Sequence, residues 1–368
     1  MEYCICKRCV MDNASDSTII FDKNGYCDYC TDALQRAAAV YFPNSEGEKK
    51  LELMIADLKE KGKNKSYDCL MGISGGLDSS YLAYLGAIQW GLRILAVHVD
   101  DGFDTPLAVS NIEKLCKSCG INLIIERPDS EQFCDLTKSF ILAEVPNIAI
   151  PQDNVLFASL YKYAKQYQVY TFLSGGNFAL ESILQRGHTY MVYDMIHNKN
   201  IHNVFGTKPV DNLQFLSIYQ RYWDLYIHKI KSLRPLNYLN YNRDNAIKQL
   251  SDFCGYEYYE AKHLENYLTK VAQLYWFYNK FKVDKRRSHL SSMIVSGQMT
   301  RDEAITLLEK PIYDEVSIQD DLKLVLNKLD LDMNVFEEIV RRPGREHSYY
   351  KQDRLIPILL RLKKMLSF

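Results

Sequence analysis

Excess charge of either sign is missing from this chain of 368 residues, in which 45 Lys and Arg stand against 46 Asp and Glu. The broad basic field on which nucleic-acid binding draws is therefore lacking, and nucleic acid is not an expected partner. Long apolar runs are missing too. No stretch approaches the ~18 residues of a membrane span. The start, MEYCICKRCV, has neither the basic lead nor the apolar middle of a secretory signal. The expected location is the cytoplasm, with no membrane partner. In that reducing compartment the ten cysteines are not expected to form disulfides. Low-complexity segments are lacking as well. What is left is a globular chain long enough for two domains or more, with 47% hydrophobic residues to fill their cores.

The two commonest phosphate-binding signatures are also absent, GxxxxGK followed by Ser or Thr, and GxGxxG. In their place stands YDCLMGISGGLDSSYLAYLGA, Tyr67 to Ala87. An apolar run, Cys69 to Ile73, breaks into Ser74-Gly75-Gly76, and helical spacing begins near Ser79. Strand, glycine turn and helix form a setting in which backbone N–H groups hold an anion. Ser74, Ser79 and Ser80 add hydroxyls. Asp78 would repel a bare phosphate, which implies an intervening Mg²⁺ or a helix-capping role.

Alternation continues past this loop. Strands are expected at Arg93–Val99, Asn122–Glu126 and Val169–Leu173, and helices at Ser79–Trp90, Leu107–Cys119, Glu131–Leu142 and Asn154–Gln166. Such alternation predicts a parallel sheet covered on both faces, with ligand beyond the strands' carboxyl ends. Ser174-Gly175-Gly176 repeats the glycine turn after a second strand. From Asn240 helical periodicity dominates. The expected divisions are a cysteine-rich module over 1–35, a helical linker over 36–66, an α/β domain over 67–239 and a helical region over 240–368.

Cys6-x-x-Cys9 and Cys27-x-x-Cys30 are separated by 17 residues. Two short thiol pairs close a tetrahedral site with little chain strain, so a structural Zn²⁺ on Cys6, Cys9, Cys27 and Cys30 is expected. Cys4 competes with Cys6 for the first position, and the CxxC spacing favours Cys6. The remaining cysteines lie in apolar or helical settings and read as buried thiols. Farther on, KVDKRRSHLSS places Lys285, Arg286, Arg287 and His289 after an aromatic, packed segment; such a charge run is either a solvated face or a cluster for an anion.

SGGLDSS resembles the pyrophosphate loop of the N-type ATP pyrophosphatases, among them NAD synthetase, GMP synthetase, asparagine synthetase and the tRNA thiolation enzymes. The resemblance implies a parallel-sheet α/β fold of the adenine nucleotide alpha-hydrolase (PP-loop) type, carrying here a zinc-ribbon-like module in front and a helical region behind. It also implies cleavage of ATP between its α- and β-phosphates. The ATP-binding residues so implied are Ser74, Gly75, Gly76, Asp78, Ser79 and Ser80 on the first loop. Val99, Asp100 and Gly102 on the second strand, and Gly175, Gly176 and Asn177 on the second glycine loop, complete that set. Asp78, Lys285, Arg286 and Arg287 are the expected catalytic residues, with Mg²⁺ alongside ATP.

The order CKRCVMD, GYCDYC, GISGGLDSSYLAYL, HVDDGFD, LSGGNFALES, GYEYYEAKHLENYLTK and KRRSHLSSMIVSGQMTRDEAI is similar to the N-acetyl sugar amidotransferase family of surface-polysaccharide and nonulosonic-acid biosynthesis. That resemblance spans nearly the whole chain. It implies conversion of an acetamido group on a nucleotide-linked sugar to an acetamidino group, with Asp101, Asp153, Glu181, Lys262, His263 and His289 as candidates for substrate or Mg²⁺. It departs from the family pattern at Asp101, Phe103, Val283 and PQDN (151–154). No cysteine has a glutaminase setting: residue 2 is Glu, and Cys254 in FCGYE lacks the first glycine of a nucleophile elbow. Ammonia is therefore expected free or from a separate glutaminase, which the resemblance likens to that of imidazole glycerol phosphate synthase. The rival readings are a tRNA-thiolating enzyme and a nucleotide-binding protein without turnover.

Overall fold

A computed structural model describes residues 2–259 and 264–366 of the chain. Its centre is a sheet of five strands, β1 (Cys69–Gly72), β2 (Ile94–Val99), β3 (Asn122–Glu126), β4 (Thr171–Leu173) and β5 (Lys231–Leu233), in the order β3-β2-β1-β4-β5. Every pairing is parallel. Alternate residues of the inner strands enter opposite cores: Cys69 and Met71 face one cluster with Ile94 and Ala96, while Leu70 faces the other with Leu95 and Val97. Side chains on a strand alternate with period two, so a sheet buried on both faces needs continuous apolar runs, and CLMGI and ILAV are such runs.

Helices α1 (Asp28–Val40) and α2 (Ser45–Gly62) precede the sheet. The linker expected over 36–66 is thus the end of one helix plus a second, because α1 starts inside the second cysteine pair with Cys27 as its N-cap. Helix α3 (Leu77–Tyr84) follows β1, α4 (Pro106–Cys119) follows β2, and α5 (Ser130–Leu142) and α6 (Ile150–Gln166) link β3 to β4. Thr105 caps α4, Pro106 opens it, and Gly120 closes it at φ +63°. Helix α6 begins four residues before the expected Asn154, since Pro151 suits a first turn. That shift puts Asp153 in the first turn. Strand β5 was not expected: its three residues, KSL, show no period, and it pairs only with β4 at the sheet edge.

Short helices α7 (Phe178–Glu181), α8 (Met195–Phe205) and α9 (Ile218–Tyr226) lie between β4 and β5. The helical region comprises α10 (Arg243–Cys254), α11 (Tyr267–Lys270), α12 (Phe277–Phe281), α13 (Arg286–Val295), α14 (Arg301–Glu309), α15 (Glu315–Lys328), α16 (Met333–Arg341) and α17 (Ile356–Leu366). Trp276, Leu322 and Phe336 form one core with Phe133 and Phe140 of α5. The buried Trp276 indole donates to the carbonyls of Val145 and Pro146, 3.0 Å each. The helical region is thus welded to the α/β domain. No helix among the described residues is long and apolar enough to cross a membrane.

One buried contact makes the fold acid-sensitive. Asn147 N–H donates to His347 Nε2 at 3.3 Å, so His347 must carry its proton on Nδ1, which lies 3.3 Å from His197 Nε2. Both rings must stay neutral, because another proton would set donor against donor. Burial pushes His347 down to about 3, with His197 and His188 adding to it, and burial lowers His197 as well. A depressed folded value means that the unfolded chain binds the extra proton first. Stability is therefore complete above pH ~6.5 and falls as pH drops from there toward 3, by on the order of 4 kcal/mol for His347. Urea unfolding across this window should show that slope in the wild type and a flatter one in His347→Gln.

Candidate active site

The strand order reverses between β1 and β4, the place where an open parallel sheet leaves a crevice at its carboxyl end. Both strands run into a Ser-Gly-Gly loop there, and the two loops share one local geometry. Gly76 N–H donates to Ser74 Oγ at 3.3 Å, and Gly176 N–H to Ser174 Oγ at 3.2 Å. Gly75 has φ +78°, and its carbonyl accepts the hydroxyls of Tyr256 and Tyr259 at 3.1 Å each. At Gly175 a Cβ would stand 2.9 Å from Asp78 C and Ser79 N, so the second loop rests on the backbone that opens α3. Gly175→Ala should therefore lower turnover about tenfold or more through a displaced first loop, with a smaller loss of stability, read by steady-state kinetics and thermal melting of the same samples.

Helix α3 begins at Leu77, two residues earlier than expected, because Gly76 is its N-cap. Gly76 has no side chain to take the first N–H groups of the helix. The positive end of the helix opens into a cavity of about 210 Å³ lined by Ser74, Gly76, Asp78, Ser79, Gly175 and Gly176. Glu181, Arg243, Glu265 and His289 also line it. Tyr241 donates its hydroxyl to Asp78 Oδ1 at 2.5 Å, and burial, then Asp78 itself, pushes that phenol far up, so it remains a donor. Ser80 turns inward: it is fully buried and its Oγ has no partner among the described residues. Asn177 is buried too. It caps α7 through Leu180 N–H and donates to the Gly175 carbonyl at 3.1 Å, which positions the second loop.

A second cavity, about 470 Å³, adjoins the first and shares Ser74 and Glu265 with it. One wall is a chain of polar side chains from both regions. His98 bonds the Ile73 carbonyl through Nδ1 (2.9 Å) and Asp104 through Nε2 (3.0 Å). Burial opposes its charge, but Asp104 outweighs burial and holds His98 above its ordinary value. Asn266 donates to Asp101 and Asp104 at 3.0 and 3.2 Å. Gln152 donates to Asp101 at 2.5 Å and accepts from Thr269 at 3.0 Å. Asp101, buried, is pushed up to about 6 by burial and then by Asp104. Val99 lines this cavity. Asp100 and Gly102 form the turn beside it, Asp100 paired with Arg127 at 3.0 Å and the Gly102 carbonyl with Lys328.

Of the three adjacent cations, the structure brings only Lys285 to the cavity wall. Its ammonium lies 4.6 Å from the centre of the Phe277 ring, and burial holds it down to about 8. Arg286 and Arg287 face elsewhere. Arg286 pairs with Asp284 at 2.8 Å and donates to the Lys310 carbonyl at 2.9 Å, satisfying the end of α14. Arg287 pairs with Asp12 at 3.0 Å and donates to the Val10 carbonyl at 2.8 Å, clamping the cysteine module. Their expected catalytic place is thus not where the structure puts them. Lys262 and His263 lie outside the described residues.

Cys6, Cys9, Cys27 and Cys30 are buried, and their sulfurs lie within 4.8 Å of one another. Cys4 is outside this group. The Cys6–Cys30 and Cys9–Cys27 separations are 3.8 and 3.5 Å. A tetrahedral ion with ~2.3 Å bonds to sulfur spaces its ligands by about 3.8 Å, so the set fits one such ion. An iron–sulfur cluster would spread its thiolates farther, since each binds a different iron. Cys6 also accepts the N–H groups of Arg8, Cys9 and Cys27, which suits a thiolate. Burial raises two thiols of α4, Cys116 to about 11 and Cys119 to about 12, so neither is a ready nucleophile.

Several of these residues carried no expectation. Tyr241, Tyr256 and Tyr259 surround the first loop in a chain where 27 tyrosines dilute the signal. Only the aromatic density of GYEYY hinted at two of them. Asp104, Gln152 and Asn266 lie within HVDDGFD, PQDN and GYEYYEAKHLENYLTK, but no role was expected of them.

An all-parallel sheet in this order, with SGGLDSS in the turn between its first strand and helix, is a fold of the PP-loop type. Within that class, residues 263–365 match the family described as LPS biosynthesis protein WbpG-like, C-terminal domain. Among curated proteins, the 7-cyano-7-deazaguanine synthase of Leptospira biflexa serovar Patoc is 29% identical over 126 residues, covering 28% of this chain and 51% of that protein. The chain thus spans about half the length of the curated relatives it matches. Similar solved structures include NMN synthetase from Francisella tularensis, with 15% identity, 79% of this chain and 98% of that chain covered, and a TM-score of 0.33. The U34-tRNA thiolase NcsA from Methanococcus maripaludis, with its 4Fe-4S cluster, has 13% identity, 84% and 89% coverage and a TM-score of 0.30.

Proposed function

We propose that this chain is an AMP-forming ligase of the ATP pyrophosphatase type, and that its acceptor is an acetamido sugar converted to the acetamidino form. The observation that carries the reading is the pair of Ser-Gly-Gly loops across the switch point, opening onto an uncapped helix end and a larger polar cavity behind it. The WbpG-like match supports a role in lipopolysaccharide synthesis. The thiols of α4, Cys116 and Cys119, both raised by burial, do not favour thiolation, which needs a reactive sulfur.

In this reading the loop N–H groups and the end of α3 hold the β- and γ-phosphates of ATP. Tyr241 fixes Asp78, the carboxylate that would hold Mg²⁺, and that ion would neutralise the departing pyrophosphate. Lys285 supplies the cation of the larger cavity. The acetamido oxygen attacks the α-phosphorus and pyrophosphate leaves. Ammonia then adds to the activated carbon, and AMP departs with the oxygen. Ammonia comes free or from a separate glutaminase. The four thiolates hold Zn²⁺ as a structural ion.

The test combines the protein with Mg-ATP, ammonia and a panel of nucleotide-linked acetamido sugars. One pyrophosphate per turnover and a product lighter by about one mass unit are expected, O having been replaced by NH. Formation of ADP and phosphate would sink the mechanism. Tight, salt-sensitive binding of bulk tRNA would favour the thiolation alternative.

A further inference from the structure

The outer surface holds a face that neither cavity uses. Helix α9 buries Ile218 and Asp224 and exposes Tyr219, Trp223, Tyr226 and Ile227. Those four stand at i, i+4, i+7 and i+8, one stripe of a 3.6-residue helix. A stripe of that spacing normally packs on a core, yet Trp223 is 59% and Tyr226 62% exposed. A second apolar group adjoins it. Tyr219 donates its hydroxyl to Asp353 at 2.5 Å, and the chain then leads into α17, where Leu355, Ile358 and Leu360 are exposed. Helix α8 continues the face. Its cap Asp194 accepts Asp353 N–H at 2.9 Å, Asn200 accepts Lys351 N–H at 2.9 Å, and Ile196 and Val204 are exposed.

The charges on these three segments are one-sided. Lys199, Lys229, Lys351, Arg354 and Arg361 are exposed. The acids within 195–205, 218–229 and 351–361 are Asp224 and Asp353, and both are buried. Asp224 pairs with Lys165 at 3.3 Å, and Asp353 is taken by Tyr219. No carboxylate of these segments reaches solvent, in a chain that has 46 acids.

We propose that this face docks on a membrane surface carrying anionic headgroups, with its tryptophan and tyrosines at the headgroup level and its Leu and Ile side chains at the acyl boundary. The proposal stands apart from the ligase reading. Trp and Tyr suit that boundary because each joins an apolar ring to a polar N–H or O–H. Cations beside an anionic surface strengthen attachment, and exposed carboxylates would oppose it. A protein partner of balanced charge would select no such exclusion of acids. Docking of this kind lies in the plane of the surface, so it needs no helix long enough to cross.

Vesicle flotation of the full chain tests this. The probes are vesicles of phosphatidylcholine alone and of phosphatidylcholine mixed with phosphatidylglycerol, at low and high salt. Wild type should bind the anionic vesicles about tenfold or more tighter than the neutral ones, and salt should shrink the difference. Trp223→Ser combined with Tyr226→Ser should weaken binding to anionic vesicles about tenfold or more. Arg354→Gln combined with Arg361→Gln should bring anionic binding close to the neutral level. Both double variants should melt as wild type does, because exposed side chains contribute little to stability. Quenching by brominated lipid supplies a reading that no loss of fold can imitate. Wild-type emission should be quenched through Trp223, since Trp276 is fully buried, and Trp223→Phe should float but lose the quench. Equal binding to both vesicles, a wild type that does not float, or a quench that survives in Trp223→Phe would overturn the proposal. So would self-association of the wild type that Trp223→Ser abolishes, which would give the face to a second copy of the chain.

Discussion

Asp78→Ala is expected to lower pyrophosphate release by about 10³-fold or more. The residue stands in the first turn of α3, inside the smaller cavity and between the two glycine loops. A carboxylate there opposes bare phosphate, and its retention makes sense if it holds the ion that spans the phosphates. Removing charge compensation aimed at a leaving group costs two to three orders of magnitude in typical sites, roughly the size expected here. The alanine variant also strands the Tyr241 hydroxyl, which would cost about 1–3 kcal/mol of stability. Asp78→Asn separates the two effects, because its amide oxygen still accepts from Tyr241 while the charge is gone. Pyrophosphate assays and thermal melts of both variants should show equal activity loss and unequal stability loss. Wild-type turnover in Asp78→Asn would leave the residue as nothing more than an acid favourable to a helix start.

Stripping the proposed Zn²⁺, by chelation or by Cys27→Ser, should have the largest effect on stability and should stop catalysis as well. Four buried thiols with no ion lose their organising centre, and zinc binding in small modules contributes on the order of 10 kcal/mol. The module is not a detached appendage. Arg301 donates to the Cys6 and Cys9 carbonyls at 3.0 and 3.1 Å, and Val10 N–H donates to Ser291 of α13 at 3.2 Å. Ser15 Oγ accepts from Asp284 N–H, next to Lys285. Metal loss therefore reaches the cavity through α13. Metal content, melting temperature and turnover measured on one preparation decide the matter. A metal-free protein that melts and turns over like the native one would show that the cysteines serve no such ion.

The parts legible in the sequence were those with local causes. Strand, glycine turn and helix follow one another within twenty residues, and two CxxC pairs declare their sulfurs by spacing. The doubly covered sheet followed from the alternation of strands with helices along the chain. Arg286 and Arg287 were misplaced for a geometric reason. Successive helical residues point about 100° apart, so three neighbouring cations cannot all face one cavity. Lys285 stands at the wall, and the next two turn to α14 and to the module. Tyr241 and Gln152 act across 163 and 51 residues of chain respectively, and no window of sequence contains both partners.

The wall formed by His98, Asp104, Asn266, Asp101 and Gln152 bears on how such proteins can be recombined. Asn266 belongs to the WbpG-like segment, whereas its partners belong to the sheet domain. A chimaera that exchanged residues 263–365 alone would set a new asparagine neighbourhood against an old pair of aspartates. The wall should therefore survive exchange only as a split unit, with the loop after β2 and the first turn of α6 travelling together with the C-terminal segment.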